Sequence, residues 1–171
     1  LSDTHGLSLK RVQDIINKEK CDITVHCGDY GYEPEVMKKL FTYYVDGNND
    51  FLSQENKQSE KFEVENFNFL VIHGHQVPRF KYRDWLNGIH RYVADKNVDV
   101  VLFGHSHHFE VKEFFDHIIL ANPGSIALPD NMQSTYLVIT INKGEIRFTK
   151  KEFQLSRQMP GHQVLTFIFF T

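Results

Sequence analysis

Five short turns decide what this chain can fold into. Asp3-Thr4-His5, Gly28-Asp29, Gly47-Asn48-Asn49-Asp50, His73-Gly74-His75 and Gly104-His105-Ser106-His107 each stand directly behind apolar, β-forming residues. The clearest run is VVLF at 100–103, bounded by Asp99 and Gly104, which reads as a buried strand. In α/β sheets the carboxyl ends of the strands line one edge, and ligands bind there. Turns spread along the chain from Asp3 to His107 therefore converge. The groups brought together are Asp3, His5, Asp29, Asn48, His73, His105 and His107.

The rest of the chain sets a plain background for that cluster. A length of 171 residues fits one domain spanning the whole chain, and 41% hydrophobic with 24% charged residues is ordinary for a soluble protein. A net charge of -3 excludes a broad basic face for bulk nucleic acid. Ten histidines are the compositional anomaly. Cys21 and Cys27 form no CxxC pair and read as free thiols in a reducing compartment. The opening LSDTHG has no signal-peptide character and reads as a first strand that begins late. The apolar stretch near 164–170 is too short to span a bilayer, so no membrane role is expected and the expected location is the cytoplasm.

Periodicity gives an α/β order. Helices are expected at 8–18, capped by Ser8 with Leu9, Val12, Ile15 and Ile16 on one face, at 33–40 with Pro34 in its first turn, and at 84–97 burying Trp85, Ile89, Tyr92 and Val93. Strands are expected at 23–27, 41–45 and 100–103, with a hairpin over 61–72 turning at Glu65-Asn66. Later strands fall at 109–115, 118–121, 135–141 and 145–153, interrupted by the turn Asn122-Pro123-Gly124-Ser125 and closed by a hairpin turn at Asn142-Lys143-Gly144. The tail 157–171 breaks this rhythm, and its LTFIFF run invites a homodimer.

Seven ligand-type side chains exceed what one tetrahedral ion needs. They suit two divalent ions sharing a carboxylate, an arrangement that activates water and steadies an in-line phosphoryl displacement. Each motif alone has a structural reading: Asp3 as a helix cap, Asp29 as a turn residue, Asn48 as the holder of a left-handed turn. Mixed His/Asp/Asn ligands are compatible with Mn, Fe, Zn or Ni.

D-x-H, G-D, G-N-x-D, H-G-H and G-H-x-H in this order resemble the calcineurin-like metallophosphoesterases, most closely the small bacterial phosphodiesterases of the YfcE type. The stretch ANPGSIALP at 121–129 is similar to that subfamily's N-P-G-S turn. The resemblance implies a four-layer α-β-β-α sandwich with two central mixed β-sheets. It also implies two divalent ions, manganese foremost, and a metal-bridging hydroxide that attacks a small phosphodiester. Asp3, His5, Asp29 and His107 would hold one ion and Asp29, Asn48, His73 and His105 the other, with Asp29 bridging.

Asn49 stands where many relatives carry a His, thought to protonate the leaving group, and an amide cannot do that. It becomes a candidate substrate contact, as do His75 and Arg79, with Asn48 and His75 in catalytic roles. The stretch IHGHQVP at 72–78 is also similar to the retromer subunit of this fold, a scaffold that has lost ligands at its G-D and G-N motifs. Here Asp29 and Asn48 are present, which weakens the alternative of a metal-binding scaffold with little turnover. His26 is expected to be a satisfied core residue, and His90, His108, His117 and His162 surface or helix residues.

Overall fold

The computed structural model describes residues 1–78 and 82–153. Arg79, His162 and the apolar tail with its expected dimer contact lie outside them. In chain order the elements are α1 (Leu9–Glu19), β1 (Val25–His26), α2 (Pro34–Leu40), β2 (Tyr43–Tyr44), β3 (Ser59–Val64), β4 (Phe67–Ile72), α3 (Tyr82–Val93), β5 (Val100–Leu102), β6 (Phe109–Glu113), β7 (Ile119–Pro123), β8 (Thr135–Asn142) and β9 (Glu145–Glu152).

The central sheet has the order β3-β4-β5-β7-β6. β4, β5 and β7 run parallel, and β3 and β6 flank them antiparallel. Parallel strands covered on both faces read as unbroken apolar runs, which is why FLVI and VVLF carry no polar alternation. Leu70 and Ile72 of β4 and Val101 of β5 face α3, where Trp85, Leu86, Ile89 and Val93 cover them. Phe69, Val71, Val100 and Leu102 point the opposite way, toward Cys27 and Val45, with Leu137, Ile139 and Ile146 of the β8-β9 hairpin packed against them. Behind that second β layer, Val12, Ile15 and Met37 of α1 and α2 pack on Tyr30, Tyr44 and Tyr136. Helices, strands, strands and helix thus form four layers, as the family resemblance implies.

The second β layer departs from one continuous mixed sheet. It consists of the parallel pair β1-β2 and the antiparallel hairpin β8-β9, and Leu1 bonds along β1 through Val25 O and Cys27 N. β1 and β2 are shorter than the apolar runs that signal them, mostly at their N-terminal ends, where Phe41 still caps α2 by donating to Met37 O. β7 continues through Asn122 and Pro123, paired with Glu110 and Phe109, where the sequence suggested a break. Ser8 occupies the first cap position without a side-chain bond, Leu9 is exposed, and Tyr92 is 41% exposed despite its place in the helical pattern. α3 ends at Val93. The β3-β4 hairpin turns at Glu65, and Lys143-Gly144 close β8-β9 with positive φ at both residues, as a two-residue hairpin turn requires.

No helix among the described residues is long and apolar enough to cross a membrane. A cavity of about 390 Å³ lies between the β layers beside Leu1, lined by Val25, Phe62, Phe69 and Leu137. Its lining includes none of the clustered aspartates and histidines, so it is not where the polar chemistry sits.

Candidate metal centre

The two β layers end at one edge, and the turns there are stitched to each other by backbone bonds. Asp3 N–H donates to Gly28 O, His5 N–H to Asp29 O, and Gly104 N–H to His73 O, each at 3.0 Å. Close approach is compulsory. A Cβ on Gly28 (φ +95°) would stand 2.7 Å from His73 Nδ1, and one on Gly104 would stand 2.0 Å from Ser2 Oγ. The turns are also strained. Asp3, His5, Asp29, His105 and His107 all take positive φ, a region costing a non-glycine residue about 1–2 kcal/mol.

Asp3 is fully buried. Its Oδ2 accepts from Ser2 Oγ (2.6 Å) and His105 N–H (3.1 Å), while its Oδ1 has no hydrogen-bond donor. Facing that orphaned oxygen are His107 Nε2 at 3.2 Å and His5 Nε2 at 3.9 Å, and the two imidazole nitrogens are 3.2 Å apart. His107 Nδ1 lies 2.6 Å from Leu128 O, which fixes its proton on that side and turns the Nε2 lone pair inward. A second group repeats the pattern. His73 Nδ1 lies 2.8 Å from Cys27 O, so its Nε2 faces Asn48 Oδ1 at 3.2 Å and Asp29 Oδ2 at 3.5 Å. Asp29 Oδ2 is also 3.9 Å from His5 Nε2, which places it between the two groups.

These lengths fit a cation. Two ligands at right angles on an ion about 2.1 Å from each lie about 3 Å apart. Lone pairs converging at that spacing around a buried oxygen without a donor need positive charge between them. Among the described residues, Asp3-His5-His107 and Asp3-Asp29-His73 are the two such groups, both containing Asp3. His105 joins neither. Its ring packs against His73 at 5.1 Å and Trp85 at 5.9 Å, beside the second group.

The electrostatics agree. The Asp3 contact pushes His107 up, and the charges of Asp29 and Asp3 outweigh burial to push His73 up. Burial, helped by His73, pushes His105 down to about 4 and lowers His75. Asp29 is held well below the usual carboxylate range against its burial by His73 and by two N–H donors from Asn49.

His75 lies 5.4 Å from His73 ring to ring, and its buried Nδ1 has no hydrogen-bond partner. Asn48 and Asn49 are both exposed at the mouth. Asn49, an expected substrate contact, directs its amide at Asp29 Oδ2, 2.6 Å away. His26 is a satisfied core residue: Gly28 N–H donates to its Nδ1 and its Nε2 meets Thr4 Oγ1. His90 is on α3 but buried, and it pairs with Asp116 at 2.8 Å. His108 pairs with Asp130, and His117 is exposed beside Glu113.

Motif reading passed over three supports. Asp50 accepts four backbone N–H groups, from Asp29, Tyr30, Gly31 and Gly47, at 2.7–3.0 Å, and so clamps the G-D turn to the G-N turn. Ser125 Oγ donates to Asp3 O, and Asn122 Nδ2 to Gly104 O and Ser106 Oγ. The visible signals were the last residue of G-N-x-D and the polar ends of N-P-G-S.

A carboxylate-imidazole cluster at the joint edge of an α-β-β-α sandwich defines a metal-binding centre of the hydrolase kind. Residues 1–144 match the calcineurin-like phosphoesterase superfamily domain. A probable metallophosphoesterase of Mycoplasma genitalium is 34% identical over 148 residues, covering 85% of this chain and 88% of that protein. The fold superposes on a predicted phosphoesterase of Streptococcus pneumoniae (TM-score 0.71, 23% identity, 90% of this chain and 94% of that one). It also superposes on Zn²⁺-complexed Vps29 of Entamoeba histolytica (0.66, 22%, 90% and 97%) and on an archaeal phosphodiesterase (0.62, 22%, 88% and 97%). The chain belongs to the calcineurin-like phosphoesterase superfamily, and its class is that of the metal-dependent phosphoesterases.

Proposed function

We propose that the protein is a two-metal phosphodiesterase acting on small phosphodiesters, with manganese as the working ion and zinc, iron or nickel as substitutes. One observation carries this reading: two sets of inward lone pairs meet around Asp3 and Asp29, and Asp3 Oδ1 is buried with no donor. Asp3, His5 and His107 would hold one ion and Asp29, Asn48 and His73 the other, with Asp29 Oδ2 between them and His105 completing the second set. Divalent ions there supply Lewis-acid activation of water and neutralise charge on the phosphoryl oxygens. Asn48, exposed at the mouth, orients the phosphoryl group. The neutral His75 accepts or donates a hydrogen bond at the leaving oxygen but does not serve as a strong acid. The superposition on an archaeal phosphodiesterase supports the ester class. A cytoplasmic setting and a small-molecule substrate belong to the same proposal.

The second reading, a metal-binding scaffold with little turnover, draws on the superposition with Vps29. Hydrolysis of bis(p-nitrophenyl) phosphate by metal-stripped protein with added Mn²⁺ separates the two. Turnover that EDTA abolishes supports the enzyme. With no strong acid beside the ions among the described residues, the rate should fall steeply as the leaving group becomes less acidic, and aryl esters should far outpace alkyl esters. Metal uptake without turnover on any ester would leave the scaffold.

A further inference from the structure

Asn49 is turned toward Asp29. Its backbone N–H donates to Asp29 Oδ1 at 2.8 Å and its side-chain Nδ2–H donates to Asp29 Oδ2 at 2.6 Å. One residue therefore grips both oxygens of one carboxylate. Because an ionised carboxylate only accepts, the amide must present its nitrogen here, which fixes its orientation as well. A carboxylate's terminal torsion is otherwise broad, so without this fork Asp29 could rotate.

The grip has a rigid base. Asp50 Oδ2 takes the N–H of both Asp29 and Gly47 at 2.7 Å, and a Cβ on Gly47 would stand 2.1 Å from Asp29 Oδ1. The G-N turn and Asp29 thus form one unit. The oxygen that Asn49 Nδ2 holds is the same one that faces His73 at 3.5 Å and His5 at 3.9 Å. Whatever sets that oxygen's position sets the joint between the two ligand groups.

We propose that Asn49 is a positioning residue for Asp29, holding the shared carboxylate in the one orientation that serves both ions. Its hydrogen bonds also draw charge from the oxygens, so it tunes how strongly Asp29 binds. This rests on the two-ion reading above. Partners of a metal ligand that orient it without touching the ion are worth about 10–100-fold in metal affinity.

The test is Mn²⁺ binding followed by calorimetry and by electron paramagnetic resonance on Asn49→Ala and on Asn49→Leu, which keeps the branching at Cγ but donates nothing. Asn49 is exposed, and thermal unfolding without metal checks that both variants are folded. The parent should bind two ions whose spectrum shows exchange coupling through the shared carboxylate. Both variants should lose about tenfold or more in affinity for at least one ion and show altered coupling, with KM for an aryl phosphodiester nearly unchanged once Mn²⁺ saturates. A parent that binds one ion or none overturns the two-ion reading itself. A parent that binds two, with variants matching it in affinity and spectrum but raised in KM, overturns the positioning role and returns Asn49 to the substrate.

Discussion

At the scale of single residues, the centre is a set of lone pairs, two of them turned inward by a hydrogen bond on the far side of the ring. Leu128 O and Cys27 O do this for His107 and His73. His107→Ala should therefore lower turnover by about a hundredfold or more. His108→Ala, one position along and paired with Asp130, should change it little, and steady-state kinetics on the two variants compares them directly. The same residues give a pH signature. His107 and His73 have raised pKa values, so each binds its second proton more tightly than a free imidazole, and an ion must displace that proton when it is present. Mn²⁺ binding should therefore release protons at about pH 6, below the ordinary imidazole value, and release should fade as pH rises. Calorimetry in buffers of different ionisation enthalpy reads this, and zero release at that pH would contradict it. The seven side chains at this edge were legible from sequence because the motifs name them by residue and order. What was not legible was the hydrogen-bond direction of each. Asn49 has the same place in the string whether its amide faces substrate or Asp29, and only the approach of two turns decides.

At the scale of elements, the turns matter more than the strands. Apolar runs announced β4 and β5 well, since strands covered on both faces carry no polar residues. β1 and β2 shrank to two residues each, mostly from their starts, where Phe41 is claimed by the end of α2, and an apolar run does not show where a helix stops and a strand begins. Asp50 was missed as a clamp for a related reason. Its four donors come from two turns separated in sequence, and their N–H groups carry no side-chain signature. Asp50→Asn replaces an oxygen that accepts two N–H groups with a donor, and should cost the metal-free protein about 2 kcal/mol, part of the loss being offset because burial already disfavours the Asp50 charge. Urea unfolding measures it. Asp130→Asn, at an exposed ion pair, should stay within about 1 kcal/mol of the parent and is the control.

At the scale of the whole molecule, three packed interfaces hold two β layers so that their strand ends coincide at one edge. Strain at five residues of the cluster is carried by that packing rather than relieved within the turns. The α/β order of elements was readable from the alternation of apolar runs and amphipathic helices, whereas the four layers followed only from the resemblance to the family. That the second β layer is a parallel pair with a separate hairpin was not, because sheet membership depends on partners distant in sequence. The account stands on two ions cooperating in one reaction, so the decisive measurement is phosphodiester turnover against equivalents of Mn²⁺ added to metal-stripped protein. Turnover should stay low through the first equivalent, rise steeply with the second and level off at two. Full activity at one equivalent, or none with two bound, would contradict it.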